Sequence, residues 1–478
     1  MTKETGRVNT PASTFKPPPT PFAGWVKNER GVLVPAASGP HILCSAPPGT
    51  GKTRRWLSVS AALWNSSALV SSSRDDLMLL VCRRRPGPSQ LLDLRPIVSP
   101  PYPGDITRVK FDPTACITTF QQAQRCARAM LRLSGAGTPG GIRVEANGMW
   151  DDLALAPLTC ILWAAASDST FRMSWALRAA ENPSAPEPHP KTGVRDWSSV
   201  DPSRPGWAAA ASDTYCNVRG AREFQSRVRG VLEQEPRQRD SVKMTISHAL
   251  TGWLVSGLDP TPTEDFDLSF LDEPDHTLYV LCPMFGDAAP VASLLMEMLI
   301  DRRREMVHEH DTLSHLGLFL DEITNTPLAN LDGNIAENRG LGVSICGAMQ
   351  DSTQLEVVYG TQRAHAIMNV VPASLMLYGS HEERWLRSAT YWIGKTTSST
   401  HTYSNNSDER TTGREWRDMF DPSELNPVDQ DHARLLIRGT PGQDVYLPDF
   451  AESMAHFDEA VRILRADHMR QQQLSRRG

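Results

Sequence analysis

One stretch constrains this chain more than any other: Ala46-Pro47-Pro48-Gly49-Thr50-Gly51-Lys52-Thr53. It follows an apolar run, His41 to Cys44, that reads as a short buried strand, and it precedes Arg54 to Leu63, which reads as a helix. Strand, glycine-bearing loop, Lys-Thr and helix in that order form the phosphate-binding loop of an NTPase. Gly49 and Gly51 allow the backbone to turn its N–H groups toward phosphate oxygens, and the helix adds its positive N-terminal end. Lys52 is expected to reach the β- and γ-phosphates of ATP, and the Thr53 hydroxyl to ligate Mg²⁺. Ala46 stands where such loops usually begin with glycine, which requires that this position not adopt positive φ.

A partner for that loop appears much later. Leu316-Gly317-Leu318-Phe319-Leu320 reads as a buried strand ending in Asp321-Glu322. In a loop-type ATPase, Asp321 would hold Mg²⁺, directly or through water, and Glu322 would polarise the attacking water. Leu341 to Met349 reads as another buried strand, closed by Gln350. Gln350 either touches the γ-phosphate or the attacking water, or is an ordinary turn residue.

The bulk numbers exclude several classes. With 478 residues the chain has room for two or three domains. A net charge of −6 rules out a uniformly basic surface, so any DNA contact must be local. The eight cysteines include no CxxC pair, and several sit in apolar runs, which points to reduced thiols rather than a disulfide framework or a zinc site. The N-terminus carries no signal-peptide pattern. The longest apolar run, about 153–166, is short and contains Pro157, so no membrane span is expected and the chain is read as cytoplasmic.

In chain order, residues 1–25 read as a disordered proline-rich tail, and residues 26–148 as the first part of a nucleotide-binding domain. Gly24 to Pro35 is either a small strand pair or plain linker. Thr119 to Leu133 is a helix, and Gly135 to Gly148 a glycine-rich linker. Residues 149–260 then read as an all-α inserted domain, interrupted by a proline-rich excursion from Pro183 to Pro205. Its basic residues Arg219, Arg222, Arg227, Arg229, Arg237, Arg239 and Lys243 form either a solvated helix face or a contact for DNA or an acidic partner. The α/β pattern returns over 261–450, with residues 395–413 read as a mobile loop and Leu435–Gly439 with Val445–Leu447 as a closing hairpin. Residues 451–478 form a C-terminal helix and tail.

The second half carries a more specific pattern: Leu320-Asp321-Glu322-Ile323-Thr324-Asn325, then Pro327-Leu328, Asn338-Arg339-Gly340-Leu341-Gly342, Gln350, Gln354-Leu355 and Tyr359-Gly360. This pattern resembles the conjugative coupling proteins of type IV secretion, the TraG/TraD-type ATPases. Ser71-Ser72-Ser73-Arg74-Asp75-Asp76-Leu77 and Trp150-Asp151 are similar to the actinobacterial branch of that family. The resemblance spans about 40–450. It implies an α/β, RecA-like P-loop NTPase with a mostly parallel central sheet and an inserted all-α domain. It also implies a ring-forming motor of the FtsK/HerA class, a homo-hexamer that binds relaxase-bound DNA and passes it to a secretion channel. On that resemblance Arg339 is the finger that reaches a neighbour's γ-phosphate, with Arg363 as runner-up. Family members usually start with membrane-spanning helices. This chain shows none, so a separate protein would anchor it, or it would work from the cytosol. Two other readings stay open: a HerA- or FtsK-like pump in genome handling, and an ATP-gated adaptor that recruits the relaxosome without pumping.

Overall fold

A computed structural model of the chain describes residues 20–85, 87–96, 102, 106–136, 148–168, 170–256, 264–284, 286–307, 314–338, 340–403 and 410–475. The first elements are β1 (Trp25–Lys27), β2 (Leu33–Pro35) and β3 (Ile42–Ser45). A π-helical turn, Lys52–Leu57, runs on as α1 (Ser58–Leu63). Then come β4 (Ser67–Ser72), α2 (Asp76–Val81), β5 (Ser89–Asp93), β6 (Ile106–Lys110) and α3 (Phe120–Leu133). The insertion comprises α4 (Gly148–Ser167), α5 (Arg172–Ala180), α6 (Trp207–Ala210), α7 (Asp213–Cys216), α8 (Ala221–Leu232) and α9 (Pro236–Ser256). The chain continues through β7 (Glu264–Asp265), β8 (Thr277–Leu281), α10 (Ala289–Met306), β9 (Leu316–Leu320), α11 (Leu331–Glu337) and β10 (Val343–Met349). It ends with α12 (Thr353–Tyr359), α13 (Thr361–Val370), β11 (Ala373–Leu377), α14 (Glu383–Ile393), β12 (Lys395–Tyr403), β13 (Arg410–Asp418), β14 (His432–Ile437), β15 (Gln443–Tyr446) and α15 (Phe450–Ser475).

Thirteen strands form one sheet in the order β2-β1-β15-β14-β11-β3-β10-β9-β4-β8-β5-β6-β7. From β11 to β7 every pairing is parallel, and from β11 through β14, β15 and β1 to β2 every pairing is antiparallel. Alternate residues of the central strands enter opposite cores, as the period of two requires. Leu43, Leu278, Leu318 and Ile345 face one core, which α3, α10 and the insertion cover. Ile42, Cys44, Tyr279, Phe319 and Cys346 face the other, with α1, α2 and the start of α15.

Among its described residues the insertion holds helices, connecting segments and one isolated bridge, Pro188 with Arg195. It does not form a core of its own. Phe120 of α3 meets Trp163 of α4 and Phe224 of α8 edge-on, at centroid distances of 6.1 and 5.3 Å. The start of α3 is fixed by a capping box in which Thr119 and Gln122 exchange side-chain and backbone bonds. Among the described residues one helix, Met149–Ser167, is long and apolar enough to cross a membrane, and 61% of its most apolar stretch is buried inside the protein. Pro157 does not end it, because α4 runs through from Gly148 to Ser167.

Two expectations need correction. The N-terminal tail does not extend unpacked to residue 25: Phe22 and Trp25 are buried, and the Phe22 carbonyl accepts a bond from Trp56 Nε1 at 3.0 Å. Residues 395–403 and 410–413 are not a loop. β12 and β13 form a separate antiparallel ribbon registered from Lys395–Asp418 to Tyr403–Arg410. The Ser, Thr and Asn content reads as a loop, but threonine also favours extended backbone once a partner strand is present. The small strand pair near the N-terminus and the closing hairpin are both present. All eight cysteines are free, and six of them are buried.

Arg85, 6% exposed, ties together the starts of β4 and β8. Its guanidinium donates to Thr277 Oγ1 at 2.9 Å and to the carbonyls of Trp64 and Ser66. Arg85→Met would leave those carbonyls buried without donors, at a cost of about 3 kcal/mol. The expected result is a lower urea midpoint, and an unchanged midpoint would show that the guanidinium is dispensable.

Candidate nucleotide site

The loop after β3 has the conformation its glycines permit. Gly49 and Gly51 sit at φ 79° and 93°, in the left-handed region. A side chain at Gly51 would also collide with Arg55, whose Cδ lies 2.5 Å from the position of an added Cβ. Ala46 is fully buried, and the non-glycine residues with positive φ, among those described, are Arg172 and Asp275. Alanine therefore serves at the loop's first position without strain. Its N–H donates to the Met349 carbonyl at 3.1 Å, which fastens the loop to β10. Thr50 closes the turn by donating its hydroxyl to the Pro47 carbonyl at 2.8 Å. Pro48 and Gly49 lie on the exposed outside of the loop. The first N–H groups of the helix beginning at Lys52 lack partners within the helix and suit an anion.

β10 separates β3 from β9, and parallel pairing carries both strand ends to the same edge of the sheet. That edge joins residues far apart in sequence. Thr53 Oγ1 donates to Asp321 Oδ1 at 2.5 Å, and Ser72 Oγ donates to Asp321 Oδ2 at 3.0 Å. Lys52 Nζ lies 3.5 Å from Glu322 Oε2, and Thr324 Oγ1 donates to Glu322 Oε1 at 2.8 Å. Burial pushes the pKa of both Asp321 and Glu322 above the ordinary carboxylate values, while Lys52 and the hydroxyl donors pull the other way. Among the described residues no group of three or more His, Cys, Asp or Glu could enclose a metal by itself. A hydroxyl and one carboxylate are instead the hard oxygen donors that suit Mg²⁺ completed by phosphate and water. The donor set therefore fits Mg²⁺ at Thr53 and Asp321, and the cradle from Ala46 to Thr53 fits a polyphosphate.

Gln350 follows β10 directly, beside the loop, because the preceding Met349 pairs with Ser45. Its N–H donates to Gln354 Oε1 at 2.9 Å. Arg339 lies outside the described residues. Arg363 is engaged within its own chain, donating to Asp332 Oδ1 at 2.8 Å and to Asn330 Oδ1 at 2.9 Å. Sequence reasoning assigned no role to Ser72 or Thr324. Each stands inside a quoted motif, but only strand order shows that Ser72 reaches Asp321. It also missed the ties behind the loop, where Arg54 pairs with Asp449 and Arg55 with Asp431.

Residues 315–430 match the family described as the TraM recognition site of TraD and TraG. That segment contains Asp321, Glu322 and Gln350. Over this segment the chain is similar to TraG/TraD-type proteins. The fold likeness extends much further than the segment. The chain superposes on a bacterial conjugative coupling protein, TrwBdeltaN70 in complex with sulphate, with TM-score 0.57 and 15% identity over 92% of this chain and 96% of the other. The unbound form of TrwBdeltaN70 gives TM-score 0.56 and 16% identity over 87% of each chain. The plasmid coupling protein TrwB in complex with ADP and Mg²⁺ gives 0.54 and 17% over 88% of each. A sequence comparison with curated proteins finds no match. The chain thus has the RecA-like P-loop NTPase fold, with a mostly parallel sheet and a helical insertion.

The burial of Asp321 yields a test with a defined sign. A raised folded-state pKa means that the folded protein holds this proton more tightly than the unfolded chain. Ionisation therefore costs stability: the cost is absent below the ordinary aspartate range and grows as pH rises through it toward the raised value. Without nucleotide, Asp321→Asn should melt higher than wild type, by a margin that widens with pH over this window and then levels off. The same variant should lose the Mg²⁺-dependent part of nucleotide stabilisation. Thermal melts across pH measure both, and a margin that narrows with pH would contradict the assignment.

Proposed function

We propose that this chain is an ATP-driven DNA-translocating motor, a coupling protein that delivers relaxase-bound DNA to a type IV secretion channel. The observation that carries the reading is the convergence of Lys52, Thr53, Asp321 and Glu322 at one edge of a coupling-protein fold. In the proposed cycle ATP enters with Mg²⁺ over Ala46 to Thr53, and its phosphates draw Lys52 away from Glu322. Glu322, freed from that pair and oriented by Thr324, then accepts a proton from the attacking water. Gln350, at the end of the neighbouring strand, contacts the γ-phosphate or that water.

The domain boundaries follow the same reading. Residues 26–148 and 261–450 build the nucleotide-binding domain, 149–260 the all-α insertion, and the chain closes with the helix and tail of 451–478. Arg219, Arg222, Arg227 and Arg237 of the insertion are exposed and form its candidate DNA or relaxosome contact, whereas Arg229 stacks over Trp197 at 5.0 Å and Lys243 pairs with Glu181 at 2.8 Å. The working unit is a homo-hexamer in the cytoplasm, brought to the inner face of the membrane by a channel or anchor protein.

Hydrolysis should depend on both ends of the Lys52–Glu322 pair, in different ways. Lys52→Ala should lose most ATP binding and turnover, because the charge over the β- and γ-phosphates is gone. Glu322→Gln should bind ATP and fail to hydrolyse it, because the amide accepts no proton. DNA-stimulated ATPase assays with nucleotide-binding measurements separate the two. Wild-type turnover in either variant would remove that residue from the mechanism, and turnover indifferent to DNA would favour the ATP-gated adaptor.

The ring makes its own prediction. If Arg339 stabilises charge on a neighbour's ATP, activity should rise more steeply than linearly with protein concentration until rings are saturated. Arg339→Ala, mixed into wild-type protein, should lower turnover beyond simple dilution while leaving ATP binding near normal. A linear mixing curve would assign Arg339 to helix capping before Gly340.

A further inference from the structure

We propose that Ser72 is a positioning residue for the metal-holding carboxylate. Its hydroxyl anchors one oxygen of Asp321 so that the other is presented to Mg²⁺, an inference that rests on the nucleotide reading above.

Ser72 is the last residue of β4 and is 6% exposed. β4 flanks β9 on the side away from β3, so Ser72 approaches Asp321 from the opposite direction to Thr53. Its backbone is held from both neighbouring strands. The Asp321 N–H donates to the Ser71 carbonyl at 2.9 Å, and the Cys282 N–H donates to the Ser72 carbonyl at 3.0 Å. The hydroxyl is oriented as well. Ser72 Oγ accepts the Arg74 N–H at 3.2 Å, which occupies a lone pair and leaves its single proton for Asp321 Oδ2 at 3.0 Å.

The two hydroxyls on Asp321 therefore differ in what they can do. Thr53 Oγ1 must turn a lone pair to the metal when Mg²⁺ binds, which changes its contact with Asp321 Oδ1. Ser72 stands on β4, with β10 and β9 between it and the loop-bearing β3, and has no such second task, so its bond to Oδ2 can persist through the cycle. Without that bond the carboxylate is free to rotate about Cβ–Cγ and present either oxygen. Loss of an outer partner of this kind typically costs 10–100-fold in metal affinity. Ser71 and Ser72 end a buried strand and Ser73 follows it, but nothing in their spacing shows that the middle serine faces an acid about 250 residues away.

The test measures binding rather than turnover. A fluorescent, non-hydrolysable ATP analogue is bound to the full chain in EDTA and then titrated with Mg²⁺. Ser72→Ala should need about ten-fold more Mg²⁺ for half-maximal tightening, with affinity in EDTA unchanged, and Ser72→Thr should restore the wild-type midpoint. A Ser72→Ala midpoint equal to that of wild type overturns the proposal alone. A wild-type protein that binds the analogue in neither condition overturns the nucleotide reading, and this proposal with it. If neither Ser72→Ala nor Ser72→Cys yields a cooperatively unfolding protein, the hydroxyl serves the fold and the proposal falls.

Discussion

A carboxylate buried at the edge of a parallel sheet is costly, and the candidate site is arranged around Asp321. Its side chain takes one hydroxyl from the phosphate loop and one from β4, and burial still raises its pKa. Two neutral donors offset part of the desolvation, and a cation would offset the rest. A site in this condition favours Mg²⁺ on electrostatic grounds before any nucleotide contact is counted. Glu322 is in a similar state, with Lys52 as its present counter-charge. In the proposed cycle a triphosphate would compete for that lysine, and nucleotide binding would be coupled to release of Glu322 through one ion pair.

That arrangement depends on sheet register. Leu320 of β9 pairs with Ser71 of β4, and Met349 of β10 pairs with Ser45 of β3. A slip of one residue in either ladder would turn the side chains to the other face and separate Asp321 from Ser72. Register is held by the two cores, because alternate residues of each central strand fill opposite sides. The helical insertion contributes directly to one of these cores. It therefore packs directly against the sheet that carries the candidate site.

The helix that leaves the phosphate loop is held on its far side by the end of the chain. Arg54 and Arg55 pair with Asp449 and Asp431, Trp25 donates to Ser453 at 3.4 Å, and β1 joins β15. The arginine pairs are largely exposed and individually weak. The buried contacts of Phe22, Trp25 and Trp56 supply the stronger attachment. The N-terminal segment, predicted as an unpacked tail up to residue 25, thus becomes part of the wall behind the site.

The sequence by itself determined the chemistry of the loop, the strand ending in Asp321-Glu322, the helical character of the insertion and the α/β class. Each is local: a glycine pattern, an apolar run of strand length, or a helical period is legible wherever it occurs. The ribbon of β12 and β13 differs from the loop expected over 395–413 because serine, threonine and asparagine favour turns when considered alone, while pairing across two strands overrides that preference. The apolar helix α4 shows the same limit, since composition cannot tell a membrane span from a core helix and only its packed neighbours decide. Strand order was equally invisible. Nothing between residues 72 and 321 indicates that β4 lies beside β9, so the contact of Ser72 with Asp321 belongs to the tertiary structure alone. A parallel sheet pairs strands across long crossovers, and the loss of chain entropy in forming them is met only when the whole core assembles.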